Sequence, residues 1–251
     1  MNEKRIEKLT QVLKKLNTEG VTEESRKEAL DIVANIDPIE LSIAEQRLIE
    51  EGMHPEDLRH LCDIHMEVLS DELVKLRKKI QPGHMLDTLI VEHEKIKEFL
   101  TEVEALNFLI QKLNSYEEGP ELFKEMAVLA NNILEAEKHH QREEDVLFPE
   151  LEKRNITGPT RIMRMEHEDL RARKKVLRET SELAPSLDFA LCKSLIDETS
   201  KYLVFQLRDH IYKENYILYP TAVDAINEKE IWKEMKEKCA VIGYCPFTPE
   251  M

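Results

Sequence analysis

The sequence predicts an all-α protein, an up-down four-helix bundle preceded by a small helical domain. Three observations carry this expectation. Good helix formers dominate the 251 residues, and only 6 glycines and 10 prolines interrupt them. Apolar residues recur at helical spacing in four long stretches, about 84–114, 120–153, 160–182 and 187–226. The breaks between these stretches, "NSYEEGP", "NITGP" and "LAPS", are short and rich in turn formers, as antiparallel neighbours require.

Ahead of the bundle, residues 1–80 read as three or four short helices. "TEESRKEALDIVANI" offers Thr22 as N-cap and sets Ala29, Ile32, Val33 and Ile36 at helical spacing. "DPIELSIAEQRLIEEG" has Asp37 as N-cap, Pro38 at the first helical position and Gly52 as stop. A third helix starts at Pro55 and carries Cys62 and His65 one turn apart; two such residues make a poor site, so they read as packing. "QPG" at 81–83 closes this segment. The bundle then occupies 84–226. Residues 227–251 read as a short helix, "NEKEIWKEMKEKC", and an irregular tail.

A formal charge of −15 argues against nucleic acid and against an anionic membrane surface. No apolar run approaches the length of a membrane span. The charged, amphipathic start "MNEKRIEKL" is unlike a signal peptide. The four cysteines are scattered, with no CxxC spacing, which points to reduced thiols in a cytoplasm.

The chemistry lies in an internal repeat. "HHQREEDVLFPEL" from 139 aligns with "HIYKENYILYPTA" from 210 when the pairs Phe148-Pro149 and Tyr219-Pro220 are superposed. His139 then matches His210, and Glu143 matches Glu214. One helix earlier in each half, "LIVEHEKI" aligns with "MRMEHEDL", so His93 matches His167. The spacing from His93 to His139 is 46 residues, against 43 from His167 to His210. Each half can therefore form an αα-hairpin that presents its histidines at matching heights.

His-x3-Glu sets an imidazole and a carboxylate on one helix face, able to meet at one centre. The two halves pool His93, His139, Glu143, His167, His210 and Glu214. Six such residues in a bundle core need a shared explanation, because burying them singly is costly. A metal centre supplies it. The set has no thiolate and exceeds what one tetrahedral zinc needs. Imidazole with carboxylate suits iron, manganese or zinc. Two octahedral ions have about twelve positions; four imidazoles, two bridging carboxylates and a bridging oxide fill roughly ten, leaving about one open position on each. His84 is a rival for the first-helix ligand; it lies nine residues before His93, on roughly the opposite side of a straight helix. His140 and Glu144 read as flanking residues, and Glu92, Glu94, Glu166 and Glu168 as surface charge.

These motifs, H-x3-E-E-x2-L-F-P, H-x3-E…L-Y-P and two E-H-E helices, resemble the hemerythrin-like, or HHE cation-binding, domain over about 84–226. The resemblance implies a non-haem di-iron centre that binds or senses O2, NO or iron. The His4Glu2 set is most similar to di-iron proteins associated with iron–sulfur cluster repair. It departs from oxygen-carrying hemerythrins: Arg171 stands where a second histidine is expected, and the last helix offers His-x3-Glu instead of His-x4-Asp. Residues 37–66 resemble an uncharacterised helical domain found ahead of HHE domains, a candidate docking element for a protein partner. Three functions stay open: a di-iron protein that binds or senses a small ligand, a di-iron enzyme acting on NO or peroxide or in cluster repair, and a helical interaction module with a structural metal.

Overall fold

The computed structural model describes residues 72–249, together with residues 7, 8, 10, 11, 14, 47, 48 and 51. Apart from those eight positions, the small domain read for residues 1–80, with Cys62 and His65, lies outside the described residues until its last helix, α1 (Glu72–Lys79). The protein is all-α, and no strand occurs among the described residues.

Four long helical runs follow α1. The first is α2 (Met85–Ile110). The second is assembled from α3 (Pro120–Leu134), α4 (Glu137–Arg142), a π turn at Glu143–Leu147 and α5 (Phe148–Glu152). The third is α6 (Gly158–Leu183). The fourth joins α7 (Phe189–Lys213), a π turn at Glu214–Leu218 and α8 (Tyr219–Ala225). A last helix, α9 (Lys229–Ile242), precedes an irregular segment.

Local chemistry explains where these runs begin and end. His84 caps α2: its Nδ1 accepts the Leu86 N–H at 3.2 Å, while Asp87 reaches back to accept the Gly83 N–H at 3.1 Å. Together they satisfy backbone donors that a helix start leaves unpaired. Pro120 stands at the first position of α3, where its missing N–H costs nothing. Asp188 caps α7 through the Leu191 N–H at 2.9 Å. After α5, Asn155 takes φ 63, and the Ile156 N–H returns to the Leu151 carbonyl at 3.1 Å, closing the helix in the left-handed manner asparagine tolerates.

The chain divides into two compact units. Among the described residues, one comprises 83–147, 164–211 and 232–249; the other includes 72–82, 148–163 and 212–231. The first holds a continuous apolar core. Ile96, Leu100, Val103 and Ile110 of α2 pack with Phe123, Met126 and Ile133 of α3, Leu170 and Leu177 of α6, and Ile196, Leu203 and Leu207 of α7. Their three- and four-residue spacing is the stripe an amphipathic helix buries. In the second unit, Lys79 pairs with Asp224 at 2.6 Å, and Arg154 ties Glu150, the Ala225 carbonyl and Glu228 together.

Candidate metal centre

Within the first unit, α2, α4, α6 and α7 bring their histidines together above this apolar core. His93 Nε2 lies 3.0 Å from His139 Nε2, and His167 Nε2 lies 2.9 Å from His210 Nε2. Glu143 stands between the two pairs, with one carboxylate oxygen 3.5 Å from His139 Nε2 and 3.6 Å from His167 Nε2. Glu214 follows His210 by one turn on its own helical run. All six predicted residues are buried. Within this unit, His140, His167 and His210 also form a close grouping of potential metal-holding atoms.

The outward ring nitrogens are held by carboxylates. Glu92 lies 2.8 Å from His139 Nδ1, Glu144 lies 2.7 Å from His167 Nδ1, and Glu166 lies 2.8 Å from His210 Nδ1. A carboxylate only accepts, so each Nδ1 must carry the proton. In the neutral ring Nε2 then presents a lone pair. With both Nδ1 atoms protonated, the Nε2 atoms of His167 and His210 face each other across 2.9 Å, a contact that calls for a cation between them, either a shared proton or a metal ion. That separation also matches chemistry: two imidazoles bound about 2.1 Å from one ion at a right angle have their nitrogens about 3.0 Å apart. The donor set fits a metal of the imidazole–carboxylate class.

Glu92 and Glu166 occupy equivalent places in the repeat, each immediately before the histidine of its own helix, and each serves the histidine of the following helix run. The expectation that these two are surface charge is therefore corrected. Glu92 is fully buried, and Glu166 is half-buried. Glu94 and Glu168 are exposed, as read. The signal was available in the duplicated Glu-His-Glu, whose first glutamate looks away from the ligands along the sequence but toward them in space.

Three cationic residues complete the surroundings. Arg142, buried beside Glu92, donates to both of its oxygens at 2.6 and 2.5 Å. Arg171 donates to Glu144 at 2.9 Å and to Glu137 at 2.8 Å, so the arginine that replaces an expected histidine orients the carboxylate behind His167. Burial works against ionisation of Glu144, but the hydrogen bond and charge of His167 and the charge of Arg171 outweigh it and hold the carboxyl below its ordinary range. Lys174, also buried, lies near His140.

His140 stacks on His167 with ring centroids 4.0 Å apart and planes 10° from parallel. Its Nδ1 has no hydrogen-bond partner. Burial, reinforced by Lys174 and the neighbouring imidazoles, pushes His140 well below its ordinary pKa. Parallel rings cannot both direct in-plane lone pairs at one ion, so His140 forms a wall of the site beside His167. His84, the rival first-helix residue, has its Nδ1 committed to the helix cap and its ring 4.5 Å from that of Trp232.

Both π turns start at the glutamates of His-x3-Glu and end at the aromatic-proline pairs. Proline has no N–H for the carbonyl four residues back and its ring crowds that carbonyl, so the helix widens by one residue there. At the second turn the Tyr219 N–H donates to the Glu214 carbonyl five residues back. The buried stripe runs His139, Glu143, Leu147 and then steps to Phe148 and Leu151; in the fourth run it goes His210, Glu214, Leu218 and then Tyr219 and Ala222. The step keeps both the polar site and the apolar residues beyond it on the buried side.

Fold and donor set together define a cation-binding helical bundle. The chain belongs to the hemerythrin HHE cation-binding domain family, whose model matches residues 84–222. Residues 9–75 match a second family, of unknown function (DUF438). No curated protein is significantly similar to the chain. No described helix is long and apolar enough to cross a membrane.

Proposed function

We propose that the chain is a non-haem di-iron protein that binds or senses a small ligand such as O2 or NO, or iron itself. Its ligands in this reading are His93, His139, Glu143, His167, His210 and Glu214. The observation that carries it is the approach of two buried histidine pairs through their Nε2 atoms, His167 to His210 at 2.9 Å and His93 to His139 at 3.0 Å, with a Glu143 oxygen 3.5 Å from His139 and 3.6 Å from His167. When bound, two ions would supply positive charge and exchangeable coordination positions. The protein's own part is to fix the rings. Glu92, Glu144 and Glu166 keep the proton on Nδ1 and orient each ring, so that Nε2 is the nitrogen turned toward the centre. Glu143, between the two pairs, suits a bridging carboxylate, and Glu214 is its counterpart in the repeat.

The reading is tested by loading the protein anaerobically with ferrous iron, counting metal per chain and recording the visible spectrum before and after O2 or NO. About two irons and new charge-transfer bands on gas exposure are expected, and His139→Ala should lose the bands. Turnover of NO or peroxide with an electron donor would favour the enzyme; metal that raises stability with no spectral response would favour the structural role.

His84 gives a sharper test of the ligand set. Because its Nδ1 caps α2, His84→Ala should cost about 1 kcal/mol of stability and leave the metal count unchanged. His84→Asn should restore stability, and His93→Ala should lower the metal count. A lowered count in His84→Asn would make His84 a ligand.

A further inference from the structure

The segment that follows α9 folds back onto the His139 side of this same unit. Gly243 turns with φ +88, and a Cβ there would lie 3.2 Å from Lys138 Nζ, so the chain passes close to α4. The Tyr244 ring lies 5.1 Å from the Arg142 guanidinium carbon. Cys245 is buried, with its Sγ 3.8 Å from Arg142 Nη2 and against the backbone N–H of His139. Phe247 meets Phe99 edge-on at 5.4 Å and packs against the apolar core. Finally, the Thr248 hydroxyl donates to Glu92 Oε1 at 2.5 Å.

Glu92 therefore receives three donors from two separate parts of the chain: His139 and Arg142 of α4, and Thr248 beyond α9. Arg142 alone balances its charge, and Phe247 and Cys245 alone would anchor the segment by burial. The threonine hydroxyl adds direction. It fixes the carboxylate plane, and with it the ring of His139, whose Nε2 faces His93 and Glu143.

We propose that residues 243–248 are a clasp on the metal centre, with Thr248 as a positioning residue that acts on His139 through Glu92. The inference rests on the metal reading above and extends it to a segment outside the ligand motifs. A ring fixed in its binding direction holds an ion longer, and an ion on His139 in turn holds Glu92 toward Thr248. Equilibrium coupling is reciprocal, so metal binding and docking of this segment stabilise each other.

The test compares wild type, Thr248→Val and Thr248→Ser, each loaded anaerobically with ferrous iron. Metal per chain is counted first, then release to a chelator is timed. Amide hydrogen exchange over 244–248 is followed with and without metal; the Thr248 amide, bonded to the Cys245 carbonyl at 2.9 Å, is the natural reporter. Expected are slower exchange in the loaded wild type, about tenfold faster release from Thr248→Val at unchanged helix content, and near-wild-type release from Thr248→Ser. Equal release from wild type and Thr248→Val, or exchange indifferent to metal, overturns the clasp while leaving the metal reading intact. A wild type that takes up no iron overturns both, and the metal count alone reveals that case.

Discussion

Glu143→Gln is expected to reduce bound metal from about two ions per chain to at most one and to abolish most of the stabilisation that metal confers. The reason is position. One Glu143 oxygen is 3.5 Å from His139 Nε2 and 3.6 Å from His167 Nε2, so this side chain serves both histidine pairs at once. An amide keeps the size of the carboxylate but removes the negative charge that would offset two cations in a buried site. Metal that binds only the folded chain stabilises it in proportion to the logarithm of its excess over the dissociation constant. At a thousandfold excess that is about 4 kcal/mol, or roughly 10 °C in a chain of this size. Thermal melts with and without metal should show that rise in wild type and little of it in Glu143→Gln. A variant that keeps two ions and the full rise would remove Glu143 from the ligand set.

The bundle was legible because helix period, short connections and capping residues agree along residues 84–226. The ligand candidates were legible because a duplicated pattern separates chemistry from chance: His139 and Glu143 stand out from His140 and Glu144 only when set beside His210 and Glu214. The π turns at Glu143–Leu147 and Glu214–Leu218 have no sequence signal of their own beyond the prolines that follow them. A proline near a helix end ordinarily signals a boundary, and sequence does not tell a stop from a widened turn that continues. The surface position expected for Glu92 fails for another reason. A glutamate beside a histidine on one helix lies about 100° around from it, which suggests an outward face. What buries Glu92 is Arg142, 50 residues on, and Thr248, 156 residues on, and no local period reports such distant partners.

That cluster makes the second large effect. Glu92→Gln leaves the buried Arg142 guanidinium without the carboxylate that balances it, and breaking a buried pair from one side costs about 3–5 kcal/mol. The midpoint of urea unfolding should fall accordingly in the metal-free protein. The double variant Glu92→Gln/Arg142→Met removes both charges and should recover most of that loss, because an apolar replacement of a whole buried pair is often nearly neutral. Metal retention should not recover with it. His139 Nδ1 still lacks a charged acceptor, and release should stay about 10- to 100-fold faster than in wild type. Acid unfolding gives the same cluster a pH signature. Burial opposes ionisation of Glu92, but the hydrogen bond and charge of His139, the charge of Arg142 and the Thr248 hydroxyl outweigh it and bring the carboxyl from its ordinary 4.5 to about 2. A depressed carboxyl contributes its stability in full above 4.5 and loses it as pH falls toward 2, so both variants should flatten the stability profile across that interval. If the double variant retains metal as wild type does, Glu92 acts only through the fold. If stability returns while retention does not, the carboxylate behind His139 belongs to the metal centre.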